Sequence, residues 1–71
     1  MNLELYIEDE CKYIALRSLK EQDQKVFSFS IGENNICFKA NRFFSKFHRG
    51  GERFYVSIDW IRLNGKLIKR N

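Results

Sequence analysis

Apolar side chains recur at every second position along most of this chain, and tight-turn signals break the runs, a pattern that confines it to short antiparallel strands. The sharpest signal is Asn64-Gly65, since both residues tolerate the positive φ angles of a type I′ turn. Around it Leu63 should pair with Lys66, Ile61 with Ile68, Trp60 with Lys69 and Asp59 with Arg70. Along the strand from Arg53 to Leu63, the residues Phe54, Val56, Ile58 and Trp60 share one parity, while Ile61 and Leu63, with Ile68 paired beyond the turn, lie on the other face. That switch requires a bulge or two covered faces.

Upstream, Phe27, Phe29 and Ile31 alternate with serines, and Ile36, Phe38 and Ala40 alternate with Cys37 and Lys39. A turn around Gly32 to Asn35 would set Ile31 opposite Ile36, Phe29 opposite Phe38 and Phe27 opposite Ala40. The polar run 20–25 reads as a loop.

Two segments admit two readings. Leu3, Leu5 and Ile7 alternate, so a turn at Asp9-Glu10 would pair Leu5 with Ile14, Leu3 with Leu16 and Tyr6 with Tyr13. Alternatively a helix runs over 10–22, capped by Asp9, with Cys11, Ile14, Ala15, Ser18 and Leu19 on one face. Segment 41–51 is either a short helix near 42–49 capped by Asn41, or a strand turning at Gly50-Gly51 to pair Arg49 with Glu52, Phe47 with Phe54 and Phe43 with Ile58. Lys46 points outward in both. The expected fold is mainly β: about six short antiparallel strands in a meander forming a small barrel or twisted sheet, with α+β as the alternative if 10–22 is helical.

Seventy-one residues make a single small domain over 1–71, near the size at which one core supplies only about 3 to 5 kcal/mol. Homodimerisation is one source of the missing stability. The two cysteines, Cys11 and Cys37, form no CxxC and read as free thiols in a reducing compartment. The start MNLELYIEDE lacks the basic and apolar stretches of a signal peptide, and no run approaches the ~18 apolar residues of a membrane span, so a cytoplasmic protein with no membrane partner is expected. Abundant Asn, Lys, Ile and Phe without proline suit an AT-rich phage or mobile-element genome.

Catalytic patterns are absent. His48 is the single histidine, so a His-based metal cluster is excluded, and the acidic group Glu8, Asp9 and Glu10 reads as solvated. Neither a nucleotide loop nor a nucleophile motif occurs, so neither an enzyme nor a cofactor is expected.

Charge is distributed unevenly. Residues 1–36 hold seven acids and four Lys/Arg, whereas 37–71 hold nine Lys/Arg, two acids and seven of the eleven aromatics. Cations interleaved with ring faces are how proteins meet nucleic acid. Lys39, Arg42, Lys46, Arg49 and Arg53 are the candidate phosphate contacts, and Phe44 and Tyr55 the candidate stacking rings. Competing with this, the phenylalanines are core and the cations only solvate the outside. Tyr6, Tyr13 and Tyr55 would share the face opposite the core, and Trp60 would sit beside Lys69. The leading expectation is a small non-enzymatic nucleic-acid-binding protein. The other is a protein-interaction module, such as a phage- or plasmid-encoded regulator of a host protein, docking by electrostatic complementarity.

Overall fold

The computed structural model describes residues 2–20, 23–48 and 51–70, with side chains described outside 44–48 and 51–53. One helix, α1 (Leu3–Ser18), precedes four strands: β1 (Gln24–Ile31), β2 (Asn34–His48), β3 (Gly51–Leu63) and β4 (Lys66–Arg70). The strands form a single open antiparallel sheet in the order β1-β2-β3-β4. The α+β alternative therefore holds, and among the described residues there are neither six strands nor a closed barrel.

The expected hairpin at 3–16 is a helix, and it starts earlier than the 10–22 alternative placed it. Asn2 rather than Asp9 caps it, its Oδ1 accepting from the Glu4 N–H at 2.9 Å, which satisfies one of the orphan donors of the first turn. The deciding pattern is the four-residue spacing of Ile7, Cys11, Ala15 and Leu19, all buried. A 3.6-residue period stacks these on one side. The alternation of Leu3 and Leu5 with Ile7 is incidental, since Leu3 and Leu5 are 44% and 61% exposed.

The stripe packs on Ile36, Phe38 and Ala40 of β2 and on Ile58 and Ile61 of β3, with Phe27, Phe29, Val56, Leu63 and Ile68 at the margin. Phe38 is fully buried between Phe27, stacked at 5.0 Å, and the edge-on Phe29. The sheet thus has one face covered by α1 and one left open.

Turn chemistry sets the registers. Gly32, with φ +61°, occupies the first of two turn positions, where a II′ turn takes glycine. The loop is two residues long, so Phe29 faces Ile36 and Phe27 faces Phe38. This is two residues out of step with the expected register but keeps the same faces together. Asn64 and Gly65 hold φ of 52° and 83°, and Leu63 faces Lys66 as expected.

The parity switch is a bulge. Lys39 faces Trp60 and Ala40 faces Ile58, which leaves Asp59 as the extra residue. Trp60 consequently leaves the parity of Ile58 and joins the open face, while Ile61 and Leu63 stay over the core. A second irregularity in β4 pairs Ile61 with Lys69 and Arg62 with Leu67. Trp60 therefore faces Arg70 instead of Lys69. Nor does Asp59 pair with Arg70: its Oδ1 accepts from Asn41 Nδ2 at 2.6 Å and its Oδ2 lies 3.8 Å from Lys39 Nζ.

Segment 42–48 is strand, so the short helix expected there is absent. Phe43 faces Tyr55 and Phe44 faces Phe54, with a register shift before His48 and Gly51, in place of the expected Phe43–Ile58 and Phe47–Phe54 pairs. The Arg49–Glu52 pair lies outside the described residues.

Candidate nucleic-acid interface

β2 and β3 outrun their neighbours. β1 last pairs at Gln24–Asn41, followed by one further hydrogen bond from the Arg42 N–H to the Asp23 carbonyl at 2.9 Å, and β4 pairs no further along β3 than Trp60–Arg70. Among the described residues, β2 from Arg42 to His48 and β3 from Gly51 to Ser57 therefore form a two-stranded arm. Seven residues of strand at ~3.3 Å each give it a reach of roughly 20 Å. The sequence segment 42–57 holds Arg42, Lys46, Arg49 and Arg53 against one acid, Glu52, together with five aromatics.

The expected site residues divide among four situations. Lys39 lies on the open face, half-buried beside Asp59 and opposite Trp60. Tyr55 is on the same face and stacks on Phe43 with ring centres 5.7 Å apart. Arg42 is on the other side: its Nη1 donates to the Leu19 carbonyl at 2.6 Å, and its guanidinium lies 4.7 Å from the centre of the Phe54 ring. Its charge is engaged at the C-terminal end of α1, where cations are favoured by the helix dipole. Phe44, Lys46 and Arg53 lie on the arm by backbone register, their side chains outside the described residues, and so does the expected outward direction of Lys46. Arg49 lies outside the described residues altogether.

The open face also gathers residues that sequence reasoning left out. Phe43, 46% exposed, faces away from α1, against the competing reading that places the phenylalanines in the core. Trp60 is half-buried with the Arg62 guanidinium 5.3 Å over its ring, and Arg70 lines a shallow depression with Trp60, Arg62 and Leu67. The signal for these was the parity switch itself: a bulge placed at Asp59 puts Trp60, Arg62 and Lys39 together. The three tyrosines do not share a surface, because Tyr6 and Tyr13 are on the exposed side of α1.

The face can present ring edges and faces flanked by cationic tips. Among the described residues only one acid, Asp59, is interleaved with Lys39, Arg62 and Arg70 there. Cys37 sits among these groups as a free thiol opposite Arg62. Among the described residues no three His, Cys, Asp or Glu side chains converge as a metal site would require, and no helix is long and apolar enough to cross a membrane.

No protein-family model, curated protein or solved structure matches the chain.

Proposed function

We propose that this chain is a non-enzymatic nucleic-acid-binding domain whose contact surface is the β2–β3 arm together with the adjoining open face of the sheet. The observation that supports this reading is the coincidence of the two-stranded arm with the most aromatic stretch of the sequence, which also carries four Lys/Arg against one acid. A duplex major groove about 12 Å wide admits a two-stranded ribbon. Exposed rings on the adjoining face suit unpaired bases, at roughly 1 to 3 kcal/mol per stacked base. Lys46, Arg49 and Arg53 would contact phosphates on the arm and Lys39 on the face, with Phe44 and Tyr55 as stacking rings and Arg42 anchoring the base of the arm.

Fluorescence anisotropy with single- and double-stranded DNA and RNA at about 50 mM salt tests the proposal. Binding should weaken steeply with salt, and replacing Lys46, Arg49 and Arg53 together by Ala should flatten the slope by roughly 0.7 to 0.9 per lost phosphate contact. No binding to any of the four ligands at that salt defeats it. The exposed Val26 and Leu67, at 51% and 45%, suit instead an acidic protein partner on the same face. Stoichiometric recovery of such a partner in the absence of nucleic-acid binding would favour that second reading.

A further inference from the structure

Helix α1 exposes apolar side chains away from its buried stripe: Leu5 and Leu16 are 61% and 49% exposed, with Tyr6 and Tyr13 to one side of them at 40% and 54%. At 100° per residue, Leu5, Asp9, Lys12 and Leu16 fall within roughly 60° of one another, and all four are exposed. Their spacing of four, three and four residues is that of a heptad seam, which meets a partner helix every 3.5 residues. Neither Asp9 nor Lys12 joins a salt bridge of its own chain among the described residues.

The order Leu, Asp, Lys, Leu is antisymmetric about the midpoint between residues 10 and 11. A two-fold axis through that point would run a second copy antiparallel, placing Leu5 on the partner's Leu16 and Asp9 on the partner's Lys12, each twice. A parallel pair would instead oppose Asp9 to Asp9 and Lys12 to Lys12. Like charges across such a contact exclude that arrangement. We infer that the outer face of α1 is a homodimer interface, two helices packing antiparallel with two Leu–Leu layers outside two Asp–Lys layers. The seam is one 16-residue helix long, smaller than the ~800 Å² per partner of a standard interface, so the dimer is weak and forms in the micromolar range or above.

Sedimentation of the full chain without nucleic acid, from about 5 µM to about 1 mM, reads this directly. The mass should rise from that of the 8.6 kDa chain towards twice that value. Asp9→Lys and Lys12→Asp should each weaken the dimer by at least about tenfold, and the double exchange should restore it, because the pairing is reciprocal. Leu5→Glu with Leu16→Glu should abolish it, and circular dichroism should show the helix retained, since both side chains are exposed. A wild-type chain that stays monomeric at the top of the range overturns the inference. So does a dimer indifferent to the single exchanges, or a double exchange that fails to recover.

Discussion

The guanidinium of Arg42 donates to the carbonyl of Leu19 at 2.6 Å and lies above the ring of Phe54, so one side chain ties the end of α1 to both strands at the base of the arm. A second, longer contact of 3.5 Å reaches the Leu16 carbonyl. The last carbonyls of a helix have no partner within it, and a cation there also meets the negative end of the dipole.

Replacing Arg42 by Ala should accordingly cost about 1.5 to 3 kcal/mol, the range for a hydrogen bond to a charged donor together with the ring contact. Arg42→Lys should recover only part, because ammonium lacks the planar fork that meets carbonyl and ring at once. Urea denaturation measures this loss, and anisotropy should show the salt slope of nucleic-acid binding little changed. A large fall in that slope with stability intact would move Arg42 into the phosphate-contacting set.

The role of Arg42 was not legible in the sequence, where it is one cation in a basic run, because its partner is a backbone carbonyl 23 positions away. What was legible is what local backbone chemistry decides. Asn64-Gly65 placed its turn and the first pair beyond it, and the change of apolar parity near Trp60 announced a bulge. The position of that bulge was not legible, since it depends on Ile61 rather than Trp60 packing under α1. The first segment misled because Leu3, Leu5 and Ile7 alternate as a strand would. The four-residue spacing of Ile7, Cys11, Ala15 and Leu19 gained from burial against β2 and β3, which is a tertiary effect. Of the expected site, Lys39 and Tyr55 share the open face, and the grouping of Phe43, Trp60 and Arg62 with them followed only from the register.

Asn64 does more than form its turn. Its Oδ1 accepts from the Asn35 N–H at 2.8 Å, its Nδ2 donates to Asn34 Oδ1 at 3.1 Å, and its own N–H reaches the Asn35 carbonyl at 2.7 Å. The β3–β4 turn is thereby fastened to the start of β2. Asn64→Gly keeps the left-handed conformation but loses the side-chain bonds, whereas Asn64→Ala loses both. Thermal denaturation should rank wild type above Asn64→Gly above Asn64→Ala, with the last down by about 1 to 3 kcal/mol. Equal stability of all three would mean that the side-chain bonds contribute nothing.

Glu8 on α1 pairs with Lys69 of β4, a polar contact between the helix and the edge strand. The hydrogen bond from Lys69 holds the Glu8 carboxyl below its ordinary value of 4.5, against a smaller opposing effect of burial. A lowered native value means that the stabilisation is complete above the unfolded value and disappears as pH falls through the native one. Denaturation midpoints measured from about pH 7 down to about pH 3 should fall on the acid side, and Glu8→Gln should flatten that limb. An acid limb identical in the variant would assign it to other carboxylates.

The two thiols report on opposite sides of the sheet. Cys11 is fully buried under α1, and that burial, aided by the Glu8 and Glu10 carboxylates, pushes its thiol up to about 12. Cys37 is half-buried on the open face among Ser28, Ser30, Asn35 and Arg62. Because the thiolate is the reactive form, a chromogenic disulfide at about pH 8 should modify Cys37 first and Cys11 only at the rate of unfolding. Equal rates would mean that α1 does not cover the core as described. Saturating nucleic acid should then slow Cys37 severalfold while leaving Cys11 unchanged, since a ligand lying across Tyr55, Lys39 and Trp60 also covers their neighbour. If Cys37 reacts at its free rate in the complex, the open face is not part of the interface, and the contact is confined to the arm.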